Sequence, residues 1–303
     1  MIRFSRLTSG LLDAWMVNQP VPVVHGRYRL RVWREDRSAL SALQAELEAY
    51  LEEAFDDARK RIRRGFEDPL SPLDDLASDP AANFPRVLHR STLQGYLGET
   101  LAAMAVEHWG AHGHQDWKIP ALLFRFHDQE FQHLDRINER LLAGEDYAPD
   151  NSTDIRPGRT GDDCIAFRMN SALTITDMLT LEAKCLARHN ATKIAQAHGK
   201  LANAGQKPAA IRELINLLEE YDTLEAAVWQ EALLKLWQEG FRTAARYDAV
   251  GYACGQLPTP ATRIGWMPAD APHAAYTGDR KLEGLEFQFA DLPSLVDALF
   301  RRS

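Results

Sequence analysis

Along residues 27–32, Arg-Tyr-Arg-Leu-Arg-Val, polar and apolar side chains alternate, the two-residue period of a strand with one buried face. The period then lengthens. Over 39–64, Leu40, Leu43, Leu47, Leu51, Ala54 and Phe55 recur every three or four residues, which predicts a helix capped by Ser38. That helix closes on Arg59, Lys60, Arg61, Arg63 and Arg64 before Gly65. Cations at a helix C-terminus complement its dipole, and a patch contacting phosphates is the alternative use for them. Residues 67–88 are rich in Asp, Pro and Ser and read as a linker. The chain is therefore expected to divide into an N-terminal α+β accessory or interaction region, 1–88, and a larger unit, 89–303.

The larger unit opens with a predicted helix over 92–109, where Leu93, Leu97, Leu101, Met104, Ala105 and His108 share one side. A strand is expected at 119–127, a helix over 128–142, and a polar loop from 144 to 161. Two strand-like runs follow at 164–169 and 178–186. Residues 190–247 read as helical, with breaks near 199–208 and 222. Strands are expected again at 249–255 and 285–289, and a short helix at 292–301. Trp229, Trp237 and Phe241 lie on a predicted helix and read as core. The order is that of an α/β fold with a mixed sheet flanked by helices.

Composition changes this picture only in part. The 303 residues suffice for a sizeable core. Residues 1–20 hold no continuous apolar stretch followed by a small-residue cleavage site, so no signal peptide is expected. The longest apolar runs, such as 119–124, are too short to cross a bilayer, and no membrane partner is expected. Cys164, Cys185 and Cys254 are widely spaced beside apolar residues, which predicts buried thiols in a reducing compartment, hence a cytoplasmic protein. No Walker-type phosphate loop and no Gly-x-Ser-x-Gly elbow occurs. The net charge of -8 runs against unaided binding to nucleic acid, because phosphates are gripped by many Lys and Arg.

Four charged residues stand out in the larger unit. Glu99 lies on the first helix, in Gly95-Tyr96-Leu97-Gly98-Glu99, and Asp163 opens the strand Cys164-Ile165-Ala166-Phe167. Glu182 and Lys184 are two apart in Leu181-Glu182-Ala183-Lys184-Cys185, so on a strand they project to one face. Charges inside an apolar strand cost several kcal/mol unless paired or metal-bound. If the two strands are neighbours, two carboxylates converge beside an ammonium. That set suits Mg2+ or Mn2+, with Asp163 and Glu182 as ligands, a carbonyl such as that of Ala183 beside them, and Lys184 orienting water or holding phosphate charge. Asp162 is the alternative ligand to Asp163, which is favoured because the apolar run begins immediately after it. A non-catalytic pair on an edge strand is the alternative to an active site.

This pattern resembles the PD-(D/E)xK, or restriction-endonuclease-like, nuclease superfamily over about residues 92–256. The resemblance implies a restriction-endonuclease-like mixed sheet, Asp163, Glu182 and Lys184 as the catalytic trio, and Glu99 as a helix-borne acid. It also implies metal-dependent hydrolysis of nucleic acid, DNA in preference to RNA. The acidic balance and the absent ATPase motif imply a helicase or translocase partner. A small acidic member with an N-terminal extension resembles effector subunits of two-gene bacterial antiphage systems, the Hachiman type among them. A non-catalytic interaction subunit on the same fold is the alternative. Lys193 and Gln196 on the following helix, and Arg156 and Arg159 in the loop before Asp163, are weaker candidates for phosphate contact. His108, His112 and His114 lie close in sequence, where a Gly-rich loop with exposed histidines is expected rather than a zinc site.

Overall fold

A computed structural model describes residues 7–21, 26–66, 81, 84–86, 88–124, 163–208, 210–259 and 263–300. The helix expected at 128–142, the loop at 144–161 with Arg156 and Arg159, and Asp162 lie outside them. The described chain is an α/β fold whose six strands form one mixed sheet in the order β1-β2-β6-β5-β4-β3. Its elements are α1 (Ser9–Trp15), β1 (Met16–Gln19), β2 (Tyr28–Glu35), α2 (Leu40–Phe66), α3 (Arg90–Trp109), β3 (Cys164–Met169) and β4 (Ile175–Leu186). They continue with α4 (Ala191–Ala202), α5 (Ile211–Glu219), α6 (Leu224–Gln238), β5 (Ala245–Cys254), β6 (Lys281–Gln288) and α7 (Leu292–Phe300). The central strands β2, β6, β5 and β4 run parallel, and the outer pairs β1–β2 and β3–β4 are antiparallel. The 1–88 segment thus supplies two strands to the same sheet as the rest.

Three sequence expectations shift. Residues 119–124 form no strand, and Lys118, just before them, makes an isolated bridge to Phe167. Residues 125–127 are not described. Ser38 does not cap α2: Asp36 accepts from the Ser38 N–H at 2.9 Å and holds a short 3-10 turn ahead of the helix. Asp36 does so because a carboxylate one residue before the turn reaches the free N–H groups more directly than a hydroxyl inside it. The strands expected at 178–186, 249–255 and 285–289 begin earlier, at Ile175, Ala245 and Lys281, so residues 245–247, expected to be helical, are strand.

Side-chain alternation on β4 sorts its neighbours. Leu179, Leu181, Ala183 and Cys185 join the largest apolar cluster, with α2, α3 and α7. Helix α3 lies very close to this face. A Cβ added at Gly98 would meet the Cys185 Cβ at 2.7 Å, and one at Gly251 would meet the Ala102 Cβ at 2.9 Å. Glycine at one side of each contact is what lets helix and sheet approach. The other face carries two clusters. One joins Val250, Tyr252, Leu30 and Val32 to Ile194, Ala197 and Leu201 of α4. The second joins Ile165, Phe167 and Met178 to α5 and α6, and it buries Trp229 and Phe241 as core with Trp237 against them. Glu182 and Lys184 belong to neither cluster and sit in the seam between the two. The three cysteines are buried free thiols. Among the described residues, no helix is long and apolar enough to cross a membrane.

Candidate active site

The site forms where β3 begins and β4 runs on past it. Cys164, the first residue of β3, pairs with Leu181, so one step earlier Asp163 falls opposite Glu182. Beyond that point β4 has no β3 partner, and polar side chains serve its backbone instead. The Ala183 N–H donates to Asp163 Oδ2 at 2.7 Å, and Lys184 Nζ donates to the Ala183 carbonyl at 3.2 Å.

Glu182 is 1% exposed. Lys184 Nζ lies 2.5 Å from its Oε1, and Lys200 Nζ, from the last turn of α4, contacts its Oε2. Lys200 Nζ is also 3.6 Å from Asp163 Oδ1. Each acid thus turns one oxygen to the strand or its lysine and the other toward Lys200. Burial and the charge of Asp163 raise the Glu182 pKa to about 7, against the two lysines that favour its ionised form. Burial by itself would lower the Lys184 pKa, but Glu182 and Asp163 outweigh it and hold the ammonium above the ordinary lysine range.

The structure therefore brings Asp163, Glu182 and Lys184 together. Glu99 is buried on α3, whose neighbour Gly98 packs on Cys185, so this helix covers the opposite face of β4 from the Glu182–Lys184 pair. Its charge still favours the Lys184 ammonium and raises the Cys164 thiol, after burial and Glu107. Among the described residues no group of three or more His, Cys, Asp or Glu converges as a ligand set. The convergent set is two carboxylates and a carbonyl, all hard oxygens, within the one or two carboxylates that a Mg2+ site ordinarily takes from protein. It fits such an ion and does not fit a nitrogen- or sulfur-seeking one.

The weaker candidates part company. Lys193 and Gln196 are exposed, and they share a helical stripe with Lys200 at spacings of three and four. Lys200, one turn further along that stripe, was not singled out in the sequence. The histidines form no zinc set and are half-buried rather than exposed: the His112 N–H donates to Glu283 Oε2 at 2.6 Å and its ring Nε2 to the Asp248 carbonyl at 3.1 Å. In the basic end of α2, Arg59 pairs with Glu52 and Asp56, and Lys60 stands over the Tyr221 ring. No family model matches the chain, and no curated protein is found similar to it.

Proposed function

We propose that this chain is a metal-dependent phosphodiesterase that cleaves nucleic acid, with Asp163, Glu182 and Lys184 as its reactive set. The observation that carries the reading is the approach of Asp163 and Glu182 to one shared cation, Lys200 Nζ, at the open end of β4. Two acids, one of them fully buried, are costly to hold together in a fold unless a positive charge belongs between them. Asp163 Oδ1, Glu182 Oε2 and the Ala183 carbonyl would hold a hard divalent ion. When bound, such an ion supplies Lewis-acid polarisation of the scissile phosphate and a more acidic water.

The chain's own residues then have separable tasks. Asp163 is oriented by the Ala183 N–H, which fixes one oxygen and leaves the other for the ion. Glu182 is positioned by Lys184 from its own strand. Lys184, held protonated beside two carboxylates, is suited to carry negative charge on a phosphate oxygen and unsuited to take a proton from water. The net charge of -8 supports delivery of the substrate by a partner, for which we propose a helicase or translocase. The resemblance in sequence is what favours DNA over RNA as the substrate.

The test is cleavage of supercoiled plasmid, linear duplex, single-stranded DNA and RNA with Mg2+, Mn2+ or EDTA. Wild type, Glu182→Ala and Lys184→Ala are compared, alone and with any co-purifying protein. Metal-dependent cleavage lost in both variants is expected. Activity that persists in EDTA, or in Glu182→Ala, overturns the reading, and so does no cleavage of any substrate, which returns the chain to a non-catalytic interaction role.

A further inference from the structure

The Lys200 ammonium forms an ion pair with one oxygen of each acid of the site: Glu182 Oε2 in direct contact and Asp163 Oδ1 at 3.6 Å. The remaining oxygens are engaged elsewhere, Asp163 Oδ2 by the Ala183 N–H and Glu182 Oε1 by Lys184. An ammonium so placed occupies the point at which the two acids converge. Lys184, by contrast, touches Glu182 and the Ala183 carbonyl from the strand itself. The two lysines therefore play unlike parts. Lys184 belongs to the wall of the site and Lys200 fills its centre.

We propose that Lys200 is an internal counter-ion that holds Asp163 and Glu182 together in the ion-free protein and must leave when a divalent cation binds. The inference rests on the reading of this site as a metal centre. Three features fit the role. The ammonium hangs on a flexible four-carbon stem, which can swing while its helix stays fixed. The side chain is 33% exposed, so it has a route into solvent, whereas Glu182 at 2% has none. And α4 is anchored independently of the lysine, by Ile194, Ala197 and Leu201 in the core and by the Asn190 side chain capping its first turn. Displacement of Lys200 then costs the site its ion pairs with Glu182 and Asp163 and leaves the fold in place. The affinity for metal becomes a competition between a tethered monovalent cation and a free divalent one.

The experiment is Mn2+ binding to the purified full-length protein without nucleic acid, by calorimetry and by loss of the free Mn2+ EPR signal. Lys200→Met should bind Mn2+ about tenfold more tightly than wild type, about 1.4 kcal/mol. It should also show a lower melting temperature without metal and a larger rise with it. Lys200→Arg, which keeps the charge, should bind no more tightly than wild type, and Lys200→Gln serves as a second neutral variant. Equal or weaker binding by both neutral variants overturns the proposal while leaving the metal centre intact. Mn2+ binding that survives in Glu182→Gln, or its absence from every variant, overturns the metal centre itself and this inference with it.

Discussion

Glu182 and Glu283 are both buried acids on inner strands of one sheet, and they are neutralised in different ways. Glu283 is fully buried on β6 and receives Arg31 at 2.6 Å, Arg29 at 2.9 Å and the His112 N–H at 2.6 Å. Arg31, only 11% exposed, spends its other donors on the Trp109 and Gly110 carbonyls at the end of α3. Every partner of Glu283 is a fork or a backbone group committed to another element, so the cluster ties β2, β6 and the end of α3 into one unit. Glu182 instead meets two lysines and, across the same cation, a second acid. Burial of an acid on a strand marks structure as readily as chemistry. What distinguishes the Glu182 site is that acids converge there and the counter-charges are lysines partly open to solvent.

The contrast can be broken first at Glu182. Glu182→Gln is expected to lower metal-dependent cleavage by about 10³-fold, roughly 4 kcal/mol of barrier. Stability at pH 7 should stay within about 1 kcal/mol, because Lys184 and Lys200 can turn to solvent. Plasmid cleavage and urea denaturation on the same preparation measure both, and a large loss of stability would make Glu182 a second Glu283. Glu283→Gln should do the reverse. It strands a buried Arg31, costs about 3–4 kcal/mol by urea denaturation, and leaves cleavage per folded molecule near wild type.

The third expectation concerns pH. Glu182 has a folded pKa raised from 4.5 to about 7, so its contribution to stability is complete below pH 4.5 and is lost as pH rises through about 7. In EDTA, wild type should lose stability relative to Glu182→Gln over that window. A flat difference between the two would mean that Glu182 is ionised throughout. The smallest change tests the other face of the strand. Gly98→Ala forces a Cβ to 2.7 Å from the Cys185 Cβ and should cost about 2 kcal/mol of stability. Any fall in cleavage beyond the loss of folded protein would show that the α3 face also sets the active geometry.

Much of this arrangement was legible in residue order. The strand-like runs at 164–169 and 178–186 located β3 and β4, and the i, i+2 spacing put Glu182 and Lys184 on one face. What could not be read was pairing between distant segments. Nothing in 27–32 or 285–289 announces that β2 and β6 are parallel neighbours, because parallel pairing is set by burial across the whole sheet. Strand β1, four residues at an edge, is too short for its pattern to register. Nor did composition warn that Asp248, Glu283 and Glu286 are also fully buried on inner strands. Charge within an apolar run was thus a weaker sign of chemistry than it looked. Lys200 escaped for a related reason: on a helix, a lysine in the last turn is ordinary, and only the fold aims it at two acids.

The near-contact of α3 with the sheet has a consequence for how this sequence can vary. Gly98 with Cys185, and Ala102 with Gly251, share two fixed volumes. In a library randomised at these four positions and selected for folding, surviving members should combine large with small in each pair. Cys185→Gly should restore a chain carrying Gly98→Ala, and neither position should accept bulk while its partner keeps its own. Such paired substitution would report the distance between helix and strand without a measurement of either, and it would do so for any chain built on the same packing.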